Sequence, residues 1–216
     1  TLLTSPIPLC TFNLLSSLKM SCNIYDVEVV DSLAYVAAGE SGVAILNIGN
    51  PEEITPIGCF GGTGMTNKTI VNADIVYANN FRPSFVELMP IGYHDICTDS
   101  FIPEINSFGD LVILDITNPA SPSEISRVIN PDLASSVSLC NDLAVTCSEM
   151  FGGVTISHVD NSGQLELISM TQISGNPQAA IMRGSYIYVA ALYEGLIIVD
   201  GTDIAHPFPI GKCDTI

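Results

Sequence analysis

The stretch Ser32-Leu33-Ala34-Tyr35-Val36-Ala37-Ala38-Gly39-Glu40-Ser41-Gly42-Val43-Ala44-Ile45-Leu46-Asn47-Ile48-Gly49-Asn50-Pro51 holds two apolar runs, parted by a glycine-bounded turn and closed by Asn-Pro. Each run is the length of a strand and too short for a helix, and the Gly and Asn-Pro breaks are turn signals. The pattern returns as Ser185-Tyr186-Ile187-Tyr188-Val189-Ala190-Ala191-Leu192-Tyr193-Glu194-Gly195-Leu196-Ile197-Ile198-Val199-Asp200. The ends of two further copies stand at Leu111–Pro119 and Gly153–Asn161.

The spacing of the copies is regular apart from one break. From Ala37 to Ala78 is 41 residues, from Ala78 to Thr146 is 68, and from Thr146 to Ala190 is 44. A second landmark agrees, with 68 residues from Gly42 to Asp110, 43 to Gly153 and 42 to Gly195. A period near 42 residues is that of a propeller or a similar array, in which each unit buries its apolar faces only against its neighbours. The break is an insertion of about 25 residues, assigned to 79–109 within the second unit.

Each unit reads as four short strands. In the first they are Asp26–Val30, Leu33–Ala37, Val43–Ile48 and Thr55–Phe60, with Asp31-Ser32 as a two-residue hairpin. The two middle strands are nearly continuous in apolar residues, so both of their faces are expected to be buried between neighbouring sheets. The predicted fold class is therefore all-β, a β-propeller of four four-stranded blades or part of a larger one, over a single domain at 1–216. Pro6–Phe12 resembles the outer strands and stands as one extra outer strand at the N-terminus. Such a strand either closes the ring or pairs with the edge of a neighbouring subunit.

The runs Leu196-Ile197-Ile198-Val199-Asp200 and Leu111-Val112-Ile113-Leu114-Asp115, with the Asn-Pro turns at Asn50-Pro51 and Asn118-Pro119, resemble the LVIVD repeat family. The chain departs from that pattern at Ser157-His158-Val159 and at Gly201-Thr202-Asp203. The resemblance implies a β-propeller, extracellular or at the cell surface, and it carries over no catalytic residue.

With 23 acidic against 6 basic residues the net charge is −17, a surface that repels phosphates and argues against nucleic-acid binding. No apolar run approaches the length of a membrane helix. A low charged fraction, 13%, beside 47% hydrophobic residues suits a subunit partly covered by neighbours, so a homo-oligomer or polymer is expected.

Seven cysteines form no Cys-x-x-Cys pair, which leaves a zinc ribbon without support. Cys10, Cys59 and Cys213 follow prolines on expected outer strands and are the disulfide candidates. Asn67-Lys68-Thr69 is an acceptor sequon for a glycan in an exported protein. The insertion supplies His94, Asp95, Cys97 and Asp99, mixed ligands for a divalent cation, in a spacing that matches no standard site. No Gly-x-Ser-x-Gly nucleophile or phosphate loop is present, and His158 aligns with Asn47, Asp115 and Asp200 at a strand end, a structural place. The expected function is a non-enzymatic, self-associating structural or adhesive propeller without a cofactor. The alternative is a metal-dependent binding or catalytic propeller that uses the insertion.

Overall fold

The computed structural model describes residues 13–61, 64–81, 92–95, 100–103, 109–129, 134–148, 152–160 and 162–214. The first sheet is β1 (Asp26–Val30), β2 (Leu33–Ala37), β3 (Val43–Asn47) and β4 (Thr55–Phe60), in that order and antiparallel throughout. The second runs β5 (Met65–Asn72), β6 (Ile75–Phe81), β9 (Gly109–Asp115), β10 (Ser123–Ile129). Between β6 and β9 the insertion contributes a separate hairpin, β7 (Gly92–Asp95) with β8 (Ser100–Pro103). The third sheet is β11 (Ala134–Cys140), β12 (Leu143–Ser148), β13 (Gly153–Val159), β14 (Leu165–Gln172). The fourth is β15 (Pro177–Arg183), β16 (Tyr186–Ala191), β17 (Gly195–Asp200), β18 (Phe208–Cys213). This is the up-and-down order of propeller blades. The candidate extra strand at 6–12 lies outside the described residues.

The repeat is written in local chemistry. The first residue of each hairpin between the two inner strands has left-handed backbone: Asp31 at φ 53°, Ala73 at 51°, Asn141 at 55° and Gly184 at 58°. Asp, Asn and Gly accept that region readily, whereas Ala73 is strained there. At the same end of the blades, strand-end side chains hold the turn that leads to the outer strand. Asn47 accepts from the Gly49 amide at 2.9 Å, and Asp115 and Asp200 accept from Thr117 and Thr202, each at 2.8 Å. In the third sheet His158 takes this place and instead meets Asp142 at 3.2 Å, while Asp160 binds the turn amides of Ser162 and Gln164.

Hydrogen bonds at these turns, from side chain and backbone, hold the carboxyls of Asp115, Asp160 and Asp200 below the usual aspartate range. A depressed folded-state value adds stability above the unfolded value, and that stability is lost as pH falls through the folded one. Melting temperature should therefore hold from neutral pH to about 5 and fall steeply below about 4. Calorimetry should find a shallower acid fall in Asp200→Asn.

Each outer strand carries one bulge, and its extra residue is an isoleucine every time: Ile57, Ile125, Ile168 and Ile210. A bulge turns its side chain out of the regular alternation. Ile57, Ile125 and Ile168 thereby reach the apolar layer between their own sheet and the next.

The core is this series of layers. Tyr35, Val43 and Ile45 of the first sheet pack on Val76, Ala78, Val112 and Leu114 of the second. Tyr77, Leu111 and Ile113 on the opposite face of the second sheet pack on Val137 and Ala144 of the third. Val145, Cys147, Val154 and Ile156 of the third then pack on Ile187, Val189, Ile197 and Val199 of the fourth. Every sheet thus offers a forward face to its successor and a rear face to its predecessor. No apolar cluster joins the fourth sheet to the first among the described residues. The rear of the first sheet, Ala34, Val36, Ala44 and Leu46, is capped instead by Met20 and Cys22 of the preceding segment.

The fourth sheet departs from the expectation that both faces of the middle strands are buried. β16 alternates exposed and buried along its length, and only its rear side is covered.

Candidate functional site

The forward face of the fourth sheet is formed by three cross-strand rows. Ladder pairing places Ala179, Ala190, Leu196 and Cys213 in one row, Ile181, Tyr188, Ile198 and Gly211 in the next, and Arg183, Tyr186, Asp200 and Phe208 in the last. Arg183 and Asp200, of opposite sign, are the charged members, and both lie in the last row. The register identifies Tyr188 with Tyr77 and Tyr35, since these pair with Ile198, Ile113 and Ile45. Tyr35 and Tyr77 are each 4% exposed beneath the following sheet, and Tyr188 is 37% exposed. The bulged Ile210 is 50% exposed where its three counterparts are packed.

A glycine pair gives the same contrast. Pro56-Ile57-Gly58 and Pro209-Ile210-Gly211 occupy equivalent places, Gly58 opposite Ile45 and Gly211 opposite Ile198. A Cβ on Gly58 would stand 2.0 Å from the Pro119 carbonyl oxygen of the second sheet, whereas one on Gly211 would meet nothing within 4 Å. Neither glycine has a positive φ, so close approach accounts for the first and nothing among the described residues accounts for the second. The signal was present in the sequence, in the repeated Pro-Ile-Gly.

The other end of the array is also apolar. Leu14, Leu15, Leu18, Ile24 and Tyr25 are exposed on the segment that caps the first sheet, with Val27 and Val29 beside them on β1. Residues 13–25 contain no acidic side chain and one lysine, Lys19, in a chain that carries 23 acidic residues. Gly39, at φ 56°, lets this segment lie close, for a Cβ there would be 3.0 Å from the Asn23 carbonyl.

The inner strands β1, β5, β11 and β15 surround a central cavity of about 590 Å³. Its charged groups serve the joint between sheets. Asp26 accepts from Lys68 Nζ at 3.2 Å and from the Thr69 amide at 3.1 Å, and Glu28 accepts from the Val71 amide at 2.9 Å. Ser136 accepts from the Ala180 amide. The Ser138 hydroxyl is buried there without a hydrogen-bond partner among the described residues.

A second polar cluster closes the root of the insertion. The Thr66 hydroxyl donates to Asn80 Oδ1 at 2.6 Å, and Asn80 Nδ2 donates to Asp110 Oδ1 at 2.7 Å. Asp110 also pairs with the Arg127 guanidinium, which binds both oxygens of Glu124 at 3.0 and 2.7 Å. No local motif marks this cluster, whose members come from four strands.

Of the residues singled out in the sequence, His94 and Asp95 fall on β7, while Cys97 and Asp99 lie outside the described residues. Among the described residues no three His, Cys, Asp or Glu side chains gather as a metal site. Asn67 is the extra residue of a bulge on β5, half-buried, and its Oδ1 accepts from Asn79 Nδ2 at 2.9 Å. Cys10 lies outside the described residues, Cys59 is on β4, and Cys213 is a free, exposed thiol on β18. Burial pushes the Cys147 thiol up to about 12, with a hydrogen bond to Ser136 opposing this in part. A thiol reagent at pH 8 should modify Cys213 at once and Cys147 only on unfolding, because about one Cys147 in ten thousand is thiolate there. Mass spectrometry of the labelled peptides checks this. No helix among the described residues is long and apolar enough to cross a membrane.

Four four-stranded antiparallel sheets, stacked face to face around their inner strands, are blades of a β-propeller. The LVIVD repeat profile matches residues 105–129 and 174–215, the second match running through the whole fourth sheet. Those two segments carry LVIVD repeats. Their apolar run is the third strand of each blade, β9 and β17, and its closing aspartates Asp115 and Asp200 are the turn-holding residues described above. No curated protein matches the chain. Among solved structures, the computationally designed Ika4 protein is similar with a TM-score of 0.59 at 9% identity, over 94% of this chain and 100% of that one. A protein from Lactobacillus plantarum is similar with a TM-score of 0.63 at 14% identity, over 87% of this chain. The LVIVD-repeat chain spans about half, 54%, of that protein's length. At these identities the likeness is one of fold.

Proposed function

We propose that this chain is a non-enzymatic structural β-propeller that works by associating with itself, outside the cell or at its surface. The observation that carries the reading is the forward face of the fourth sheet, where positions buried in the other three sheets stand open. A contiguous apolar face of this kind favours association, because each Å² of apolar surface taken from water contributes roughly 25 cal/mol. Its rows hold few charges, so two copies of a chain with net charge −17 meet there with little repulsion. The extracellular setting rests on the LVIVD resemblance and on the Asn67 sequon.

Sedimentation equilibrium over a concentration series under reducing conditions tests association without disulfides. The expected mass exceeds the 22.9 kDa of one chain and grows with concentration. A constant single-chain mass up to about 100 µM, well above the dissociation constants of ordinary stable interfaces, would overturn it.

A further inference from the structure

We infer that the partner on the open forward face is the N-terminal end of a second copy, residues 14–29, so that copies join end to end. The inference rests on the self-association just proposed and assigns its geometry.

The packing inside the chain supplies the first argument. All three joints between sheets set a forward face against a rear face. The rear face that no sheet covers is that of the first sheet, where Val27 and Val29 lie in the rows of Val36 and Ala34 and are 56% and 55% exposed. The apolar surface gives the second. Two copies joined through their fourth sheets alone would leave Leu14, Leu15, Leu18, Ile24 and Tyr25 in water, whereas an end-to-end joint covers both apolar ends. The third is charge, since segment 13–25 has no acidic residue and therefore brings none of this chain's excess negative charge to the joint. A joint between two different surfaces is heterologous, and it closes into a ring or runs on as a filament according to the rotation between copies.

Two variants separate this joint from the alternatives. Ile181→Glu with Ile210→Glu alters the forward face at positions 58% and 50% exposed, and Leu15→Glu with Val27→Glu alters the N-terminal end at positions 61% and 56% exposed. Each variant alone is expected to associate at least tenfold more weakly than the unaltered chain. Mixed in equal amounts they should form a pair, because each retains the surface that the other lacks. If the N-terminal variant associates as strongly as the unaltered chain, or the mixture stays at single-chain mass, the end-to-end joint is wrong while self-association stands. If the unaltered chain is itself single, both fail. Circular dichroism verifies the fold of each variant, and Leu14→Glu, at a position 85% exposed, replaces the N-terminal pair should that pair misfold.

Discussion

Replacing Arg127 with methionine should cost about 3–5 kcal/mol of folding stability, the range for breaking a buried ion pair from one side. Asp110 is 2% exposed, and its carboxylate is held by Asn80 on one oxygen and Arg127 on the other. Methionine fills a similar volume and supplies no donor, so the carboxylate is left buried with its charge uncompensated. Burial works against the charge of Arg127, but the bidentate bond to Glu124 and the field of Asp110 outweigh it and raise its pKa above the usual arginine value. The double variant Asp110→Asn with Arg127→Met should recover part of the loss, since it removes the stranded charge. Urea unfolding of the two single variants and the double gives the coupling directly. Equal losses in Arg127→Met and the double variant would show that the side chain acts through packing alone. The position has a structural meaning as well: Asp110 stands where the other copies have Gly42, Gly153 and Gly195, in the copy that carries the insertion.

Gly58→Ala is expected to be of comparable severity, about 3 kcal/mol, at the upper end for overpacking. The added methyl would come within 2.0 Å of the Pro119 oxygen and 3.1 Å of the Ala120 Cα, both backbone atoms. That turn is pinned by Asn118, whose carbonyl accepts from the Ser121 amide at 2.9 Å, so the joint between the first two sheets must open instead. Gly211→Ala, at the equivalent place in the fourth sheet, should change the stability of the single chain by less than about 0.5 kcal/mol. Thermal unfolding at low concentration compares them. The contrast measures what a covering sheet does to the same residue.

Much of this architecture was legible from the period and the turns. The first four strands fall where the alternation of apolar runs and breaks puts them, with β3 ending one residue earlier, at Asn47. The strand-end Asn and Asp residues hold local amides as their position implied, because that interaction is contained within three residues. The one-sided burial of the fourth sheet was not legible. Tyr188 and Ile198 look like Tyr35 and Ile45 in sequence, since the side chains that prepare a face for packing are the same whether or not a neighbour is within the chain. The Thr66–Asn80–Asp110–Arg127 cluster was missed for another reason. Its residues are polar singletons, spread over 62 positions, that only the sheet brings together.

Hydroxyl-radical footprinting of Tyr35, Tyr77 and Tyr188 across a concentration series tests the central claim most directly, for the three tyrosines share one place in the repeat and differ only in what covers them. Tyr35 and Tyr77 should be protected at every concentration, and Tyr188 should be reactive when dilute but protected to their level when concentrated. Tyr188 equally reactive from end to end of the series would contradict it, and the forward face of the fourth sheet would then be an ordinary exposed surface.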